Sequence, residues 1–482
     1  MFDSKLLISL MLVLTFTGSL FSEQAGVSLT INQKDFMDGD YMVVSVNMNP
    51  AGSSYDEYFY LELPNDIRAF IDPEGHVNID KPVVRRTVDN PVSSNLVELS
   101  LGNAAEGIYA WWIVYIPKGS LFDDNEISEW IYDSETFGFM SGKKTRREYV
   151  AVANTDFQSL GTLSILDPVS MTTISTDVEM LSSDPYLCVY NDKIFAINRY
   201  QADNIQVIDP SIDYVTTLQF STGNGSNPQW ITFANPNKAY VSRYDTNFND
   251  LLIVNPTNGE EIGTIDMSPY SDNEDKTPRP NQMLMINHEL FVVIQDLNAS
   301  WSGFGISKIV VVNTITDQVT HVIPLEGEDP YSIKFLPETG LIYLSDRGLS
   351  WPFILSGGIE VVDPIKKETL GILIDDDLLN GNCGEMEILS PNKGYVIVSD
   401  ENFGKSVVAF NPESGEILGS VYDSPGSVVE SIELTDDGYL LLTERYESIS
   451  GIMFIDTRDD QLIAGPVSTG TLPPFALDTF HM

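Results

Sequence analysis

Acidic and amide side chains recur through the second part of this 482-residue sequence, each time just before a short apolar segment. They are Asp184, Asn227, Asn281, Asp329, Glu385 and Glu430. Converging carboxylate and amide oxygens are hard ligands suited to Ca²⁺ or Mg²⁺, so this set is a candidate metal site. The alternative is structural, because such groups also cap strands and form hydrogen bonds between neighbouring elements, and we favour it.

Arginines and aromatic residues recur beside these positions. The arginines, at the ends of apolar segments, are Arg199, Arg243, Arg347 and Arg445. We expect them to pair with the carboxylates between neighbouring repeats, with an anion site as the alternative. The aromatic residues, in two long irregular segments, are Trp301, Phe304, Trp351 and Phe353. They either stack on a sugar ring or a protein partner, or pack their own loops.

Several catalytic chemistries have no counterpart in the sequence. The four histidines, His76, His288, His321 and His481, are isolated from one another. There is no G-x-S-x-G nucleophile elbow, phosphate-binding P-loop or haem-attachment motif. No catalytic residue is therefore assigned, and no cofactor beyond possible Ca²⁺ or Mg²⁺ binding.

These residues occupy equivalent positions in a repeated unit of β-strands. Its marker is an apolar strand that ends in Asp or Asn, followed by Pro or Thr. The seven copies end at Asp167, Asp209, Asn255, Asn313, Asp363, Asn411 and Asp456, 42 to 58 residues apart. Each unit also contains an earlier strand pair and a strand after the marker. Four strands repeated at this period predict a seven-bladed β-propeller over 148–482 in an all-β protein.

The two ends of this region predict a closed ring. Residues 474–480 look like an inner strand without a partner, and residues 149–153 look like a second strand without its inner neighbour. The repeats, with Asn227-Pro228 and Asp329-Pro330 before two inner strands, resemble the YVTN or YncE-like propellers of secreted bacterial proteins. That resemblance implies the fold and brings no catalytic signature. Propeller lactonases use similar polar groups around a metal, but in a six-bladed arrangement.

The propeller model predicts a ligand site. Starts of inner strands, ends of second strands and the long loops 268–280, 297–307, 347–358 and 374–383 share one face. Long loops on a rigid scaffold commonly carry binding sites. The longest repeat spacings end in blades four and five, so we expect contact there. The predicted ligand-binding residues are Trp301, Trp351, Arg347, Asp329 and Glu385.

The first part of the chain has a different pattern. Residues 27–140 alternate apolar and polar residues in short runs between turn signals, which predicts an Ig-like β-sandwich. This pattern resembles small Ig-like modules at the front of bacterial secreted proteins. A basic segment, 141–147, follows and is predicted to be a linker. Residues 1–22 have the charged start, apolar run and small residues of a secretory signal peptide.

Charge and cysteine content restrict the function further. The formal net charge of −44 excludes nucleic-acid binding through a basic surface. Cys188 and Cys383 fall in non-adjacent repeats, so we expect two separate thiols. We predict an exported, soluble protein without a membrane span after signal removal. The leading hypothesis is a binding or scaffolding protein whose partner is another protein, a small molecule or a carbohydrate. The alternative is a lactonase-like, metal-dependent hydrolase.

Overall fold

A computed structural model describes most of the chain, in two compact units. The described residues are 25–31, 35–37, 41–63, 68–73, 77–79, 81–100, 107–120, 122, 130–140, 147–245, 247–286, 288–350, 352–426, 428–446 and 448–482. The predicted signal peptide, residues 141–146 of the predicted linker, and Trp351 lie outside them. The two units are Met1–Lys144 and Thr145–Met482.

The described part of the first unit contains ten strands in two sheets. They are β1 (Gly26–Ile31), β2 (Asp35–Met37), β3 (Tyr41–Asn49), β4 (Tyr55–Glu62), β5 (Arg68–Ile71), β6 (Val77–Ile79), β7 (Arg86–Val88), β8 (Val92–Ser100), β9 (Gly107–Pro117) and β10 (Ile131–Met140). One sheet has the order β1-β3-β8, and the other has the order β2-β10-β9-β4-β5-β6, with β7 also on β4. Leu29, Val44 and Val46 of the first sheet share a buried core with Phe59 and Ile113 of the second.

The described part of the second unit contains thirty strands, one short α-helix and two single-turn 3₁₀ helices, Pro210–Ile212 and Ser268–Tyr270. The strands of sheets 1 to 4 are β11 (Glu148–Thr155), β12 (Gly161–Asp167), β13 (Thr172–Leu181), β14 (Pro185–Tyr190), β15 (Lys193–Asn198), β16 (Asn204–Asp209), β17 (Val215–Ser221), β18 (Pro228–Asn235), β19 (Lys238–Arg243), β20 (Asp250–Asn255), β21 (Glu260–Asp266), β22 (Pro280–Ile286), β23 (Glu289–Ile294), β24 (Lys308–Asn313) and β25 (Gln318–Pro324).

The remaining elements are the strands of sheets 5 to 7, the two strands of a separate hairpin, the short α-helix, and the last strand of the chain, which belongs to sheet 1. They are β26 (Pro330–Leu336), β27 (Leu341–Asp346), β28 (Leu349–Ser350), β29 (Phe353–Ile354), β30 (Gly358–Asp363), β31 (Glu368–Asp375), α1 (Asp376–Leu379), β32 (Asn382–Ser390), β33 (Lys393–Ser399), β34 (Lys405–Phe410), β35 (Ile417–Asp423), β36 (Val429–Leu434), β37 (Tyr439–Glu444), β38 (Gly451–Asp456), β39 (Gln461–Val467) and β40 (Pro474–His481).

These strands form seven four-stranded antiparallel sheets among the described residues. Sheet 1 has the order β40-β11-β12-β13, and sheets 2, 3 and 4 are β14 to β17, β18 to β21 and β22 to β25. Sheet 5 is β26-β27-β30-β31, and sheets 6 and 7 are β32 to β35 and β36 to β39; β28 and β29 form a separate hairpin. The unit is consistent with a β-propeller.

The first strands of the seven sheets form a closed ring of contacts. Each contacts the first strand of the next sheet, from β40 through β14, β18, β22, β26, β32 and β36 back to β40. The predicted pairing of the chain ends is observed, because β40 is hydrogen-bonded to β11 with Tyr149 opposite Phe480 and Ala153 opposite Ala476. Strand β40 therefore supplies the first strand of sheet 1, and β11 is paired on both sides.

The repeat marker is the third strand of every sheet. These strands are apolar because they are covered on both faces; every residue of β12, for example, is buried. Fourth strands such as β17 alternate between exposed residues and residues that are partly or fully buried, as expected at an outer edge. Apolar clusters fill the space between neighbouring sheets, for example Phe291 and Val293 of sheet 4 against Ile333 and Ile342 of sheet 5.

Two further sequence predictions concern cysteines and membrane spans. Cys188 of sheet 2 and Cys383 of sheet 6 are free thiols, as predicted. In the part of the chain that the structure describes, no helix is long and apolar enough to cross a membrane.

Candidate functional site

One face of the ring carries the long connections. They follow second strands, as between β23 and β24, or lead to the next sheet, as between β21 and β22. Turns at the opposite face are short, and Asn191 and Asp192 at the β14–β15 turn both have positive φ. The long-connection face is the one at which first strands begin, so it also holds the acidic and amide residues found in the sequence.

A cavity of about 240 Å³ opens at this face between sheets 5, 6 and 7. Its lining residues are Tyr331, Arg347, Ser350, Phe353, Asn382, Gly384, Glu385, Ile397, Ser399, Asp400, Phe403, Lys405, Val429 and Glu430. We call it the mouth cavity. It combines three aromatic side chains with charged groups of both signs. Arg347, Glu385 and Glu430 are predicted site residues, and the structure brings them to one cavity.

Arg347 is held in place by a buried carboxylate. Its Nε lies 2.9 Å from Oδ2 of Asp329, and its guanidinium lies 4.6 Å from the ring centre of Tyr331. Burial raises the pKa of Asp329 above its usual value, although Arg347 opposes that rise. The ion pair therefore fixes the direction of the guanidinium at the cavity wall.

The same arrangement is repeated in sheet 2. Asp184 Oδ1 lies 2.5 Å from a terminal nitrogen of Arg199, and this guanidinium stands 4.9 Å from the ring centre of Tyr186. The hydroxyl oxygens of Tyr186 and Tyr331 are 3.2 Å apart, within hydrogen-bond distance. A bond between first strands of sheets 2 and 5 spans the ring. Burial raises the pKa of both phenols, so both stay neutral near pH 7.

Glu385 is a buried carboxyl group at the cavity wall. It is 7% exposed, and its Oε2 has no hydrogen-bond partner among the described residues. Burial raises its pKa to about 8; Glu387 adds to the rise, and Lys334 opposes it. The protonated form therefore predominates at neutral pH, and a protonated carboxyl group can donate a hydrogen bond or a proton.

A layer of charged groups lies further along the inner strands. Lys334 and Asp478 are the fifth residues of β26 and β40, and Glu433 is the fifth residue of β36. Lys334 forms an ion pair with Glu387. Burial raises the pKa of Asp478 to about 7, and it also raises that of Glu433. Sequence reasoning missed this layer because these residues lie inside strands.

The other predicted metal ligands have protein partners or lie apart. Asp184 pairs with Arg199, and Glu430 Oε2 lies 2.7 Å from Lys405 Nζ. Asn227 Oδ1 accepts a hydrogen bond from Gln229, and Asn281 is 7% exposed. These contacts agree with the capping role favoured above, while a metal at these residues stays a prediction.

The predicted aromatic contacts divide between two places. Trp301 is 51% exposed, and the Arg279 guanidinium lies 4.4 Å from the centre of the Trp301 ring. Trp301 does not line the mouth cavity. Phe353 does line the cavity. Trp351 lies outside the described residues, so its predicted role is untested.

The arginines differ from expectation in their partners. Arg199 and Arg347 pair within their own sheets, as does Arg243 with Asp250 at 2.5 Å, rather than between neighbouring sheets. For Arg199 and Arg347 the reason is that the end of a second strand lies beside the start of its own first strand. Asp250 instead begins the third strand, directly opposite Arg243. Arg445 does bridge sheets, because its guanidinium donates to the carbonyl oxygens of Pro474 and Thr155, both at 2.9 Å.

Tyr331, Phe403 and Lys405 line the cavity and were not identified from sequence. A signal for Tyr331 was present. Asp-Pro-Tyr occurs at 184–186 and again at 329–331, each time with an arginine at the end of the next strand. Phe403 lies in the short loop after β33 and Lys405 begins β34, and nothing in this stretch of sequence distinguishes a ligand contact from an ordinary surface residue.

Comparison with known proteins supports the fold and no specific family. No family model matches the sequence, and no curated protein matches it. Among solved structures, the periplasmic gluconolactonase PpgL of Pseudomonas aeruginosa is similar with a TM-score of 0.53 and 13% identity, over 69% of this chain and 99% of its own.

Two further solved structures are similar to the same extent. A Bacteroides uniformis protein with the provisional name 6-phosphogluconolactonase has a TM-score of 0.52 and 13% identity, over 70% of this chain and all of its own. A Lactobacillus plantarum protein has a TM-score of 0.53 and 12% identity over the same shares. These likenesses support a β-propeller fold for the second unit.

Proposed function

We propose that Thr145–Met482 is a seven-bladed β-propeller that binds a small polar ligand in the mouth cavity, and that the first unit is an Ig-like sandwich. Seven four-stranded sheets and the closed ring of first strands support the first assignment. Two packed sheets of mainly antiparallel strands support the second.

The mouth cavity is the observation that carries the binding role. Its volume of about 240 Å³ is below the ~300–1,000 Å³ typical of ligand pockets, which favours a ligand of monosaccharide size. Tyr331, Phe353 and Phe403 offer ring faces, while Arg347 and Lys405 offer donors. Aromatic faces beside a few charged groups suit a sugar or sugar acid, whose ring has apolar faces and hydroxyl edges.

Binding of a sugar panel to wild type and to Phe403→Ala tests the proposal. The panel contains glucose, gluconate and glucono-δ-lactone. Binding of each compound is measured by calorimetry and by the shift in melting temperature. Phe403 is 53% exposed, so its loss should leave stability within about 0.5 kcal/mol. Loss of one aromatic contact of about 0.5–1.5 kcal/mol should weaken binding roughly 2- to 10-fold.

Tyr200→Ala is the matched control, because Tyr200 is 63% exposed and does not line the cavity. It should bind like wild type. If no compound of the panel binds, or if Phe403→Ala and Tyr200→Ala bind as wild type does, the mouth cavity is not the sugar site.

A second candidate function is lactone hydrolysis. Two of the similar structures carry lactonase names, and Glu385 supplies a carboxyl group that is protonated at neutral pH. In this reaction water adds to the lactone carbonyl, the ring C–O bond breaks, and the ring oxygen gains a proton. Glu385 would give that proton and regain one from the proton that the attacking water loses, and the Arg347 guanidinium would stabilise the anionic intermediate. Neither role requires a metal at the paired carboxylates Asp184, Asp329 and Glu430.

The same panel separates binding from hydrolysis. Acid release from glucono-δ-lactone above the spontaneous rate, lost in Glu385→Gln, would favour the hydrolase. Unchanged lactone with measurable binding would favour the binding protein.

We also propose that the protein is exported. The pattern of residues 1–22 supports this, as does the periplasmic location in the name of the similar gluconolactonase.

A further inference from the structure

Three side chains capable of binding a metal meet where the two ends of the second unit join. They are Glu148, Asp436 and His481, and one ligand atom from each lies within 4.8 Å of the other two. Among the described residues, no other group of three His, Cys, Asp or Glu side chains meets this distance. None of the three belongs to the mouth cavity or to the metal set predicted from sequence.

The fold of the seam brings these residues together. Glu148 at the start of β11 is directly opposite His481 at the end of β40, so their side chains project on the same face. Asp436 lies in the turn between β36 and β37 of sheet 7, and its Oδ2 is 2.9 Å from His481 Nε2. The three ligands therefore come from three separate parts of the chain.

Glu148 supplies a second observation, independent of the grouping. It is only 6% exposed, yet both of its carboxylate oxygens share one donor, the Asp436 main-chain N–H, at 3.1 and 3.0 Å. Within the described residues it forms no ion pair, and the neighbouring imidazole of His481, which attracts its negative charge, is shared with Asp436. A buried carboxylate with one shared donor is unfavourable unless positive charge is supplied, and one imidazole shared between two carboxylates supplies at most one charge for two.

We propose that Glu148, Asp436 and His481 bind a divalent transition-metal ion of the Zn²⁺ type that fastens sheet 1 to sheet 7. One imidazole nitrogen with two carboxylate oxygens suits Zn²⁺, whereas Ca²⁺ and Mg²⁺ prefer oxygen ligands alone. Three protein ligands leave one tetrahedral position for water. Because the set exists only in the closed ring, the ion binds the native state and stabilises it by mass action.

Zinc titration of the full chain, without a histidine tag and after chelator treatment and dialysis, tests the site. Calorimetry and elemental analysis should give one Zn²⁺ per chain, and zinc should raise the melting temperature. Asp436→Asn and His481→Ala should each lower zinc affinity at least about 100-fold, since losing even a supporting residue costs about 10- to 100-fold. His321→Ala, which removes an exposed histidine of sheet 4, is the control and should bind as wild type does.

Two results would overturn the site. The first is less than stoichiometric zinc on wild type at saturating concentration. The second is equal zinc affinity and an equal zinc-dependent rise in melting temperature in wild type and Asp436→Asn. Asp436→Asn keeps the size of the side chain and the main-chain donor to Glu148, so it decides the outcome even if His481→Ala folds poorly.

Discussion

Glu385 illustrates how a single position can be identified from sequence while its chemistry is not. Its place at the start of an inner strand made it a candidate oxygen ligand, and the structure shows a buried carboxyl group of raised pKa. The sequence contains no measure of burial, and burial is the largest cause of that rise. For Asp184 and Asp329 the sequence left a metal site and pairing with arginines both open, and the structure pairs them with Arg199 and Arg347.

The raised pKa of Glu385 predicts a pH dependence of stability. Its pKa is about 8 in the folded protein and near 4.5 when unfolded, so the folded state binds the extra proton between these values. The free energy of unfolding therefore falls as pH rises from about 4.5 to 8, by at most about 1.4 kcal/mol per pH unit for this group.

Urea unfolding at pH 5, 6, 7 and 8 measures this slope. Glu385→Gln, which cannot ionise, should lose less stability than wild type between pH 5 and 8. Asp459→Asn, at an outer turn of sheet 7, is the control and should retain the wild-type slope. Equal slopes in wild type and Glu385→Gln would show that this carboxyl group titrates normally.

At the scale of elements, a recurring contact links some neighbouring sheets. Second strands β19 and β33 both begin Lys-x-Tyr, and each Tyr and Lys reaches an Asp in the outer turn of the next sheet. Tyr395 Oη lies 2.8 Å from Asp460 Oδ1, and Lys393 Nζ lies 2.8 Å from Asp460 Oδ2. Tyr240 and Lys238 contact Asp317 in the same way.

Between sheets 2 and 3 this contact is missing. Strand β15 has Phe195 where the other two have Tyr, and Gly259 stands four residues after the marker Asn255, as Asp317 does after Asn313. Lys193 pairs with Asp209 of its own sheet, and a largely apolar cavity of about 370 Å³ lies there. Polar residues in the turns therefore determine how tightly adjacent sheets are joined.

Tyr395→Phe should lower the free energy of unfolding by about 1.5–3 kcal/mol, because it removes a buried hydrogen bond to a charged group. Phe195 shows that a phenylalanine fits this register. Chemical denaturation measures the loss, and Tyr200→Phe, at a side chain 63% exposed, should change stability by less than about 0.5 kcal/mol. A similarly small change in Tyr395→Phe would mean that Lys393 alone holds Asp460.

Elements were more predictable than sites for a physical reason. The marker strands are buried on both faces, so their apolar sequence repeats in all seven sheets and reveals the period. Side-chain partners such as Tyr186 with Tyr331, or Glu148 with Asp436, are set by ring geometry between residues far apart in sequence. No local pattern records those distances. The sequence therefore predicted Arg347, Glu385 and Glu430 of the mouth cavity but missed Tyr331, Phe403 and Lys405 there, and it missed the seam altogether.

The ring depends as a whole on the last ten residues. Strand β40 supplies the inner strand of sheet 1, and its Phe475, Ala476, Leu477 and Phe480 are buried. Main-chain bonds between Arg147 and Met482, at 2.8 and 3.1 Å, continue the pairing to the end of the chain. Arg445 of sheet 7 also depends on β40, because it donates to the carbonyl oxygens of Pro473 and Pro474.

Deleting residues 473–482 should therefore unfold the second unit or leave it prone to aggregation. The deletion exposes the channel-side edge of β11 and removes large apolar side chains worth about 1.5–3 kcal/mol each, from a domain whose total stability is typically about 5–15 kcal/mol. Soluble yield and melting temperature measure the effect. A control lacking only His481 and Met482 keeps almost all of β40 and, with zinc excluded by chelator, should stay folded.

A synthetic peptide of residues 473–482 sharpens this test. If the loss arises from the missing strand, the peptide added in trans should pair with β11 and restore a cooperative thermal transition, to a degree that rises with peptide concentration. A peptide with Phe475 and Phe480 replaced by Ser keeps the main-chain donors but not the apolar contacts, so it should fail to do so. A deletion variant that melts as wild type does, without peptide, would mean that the ring is stable with an open first sheet.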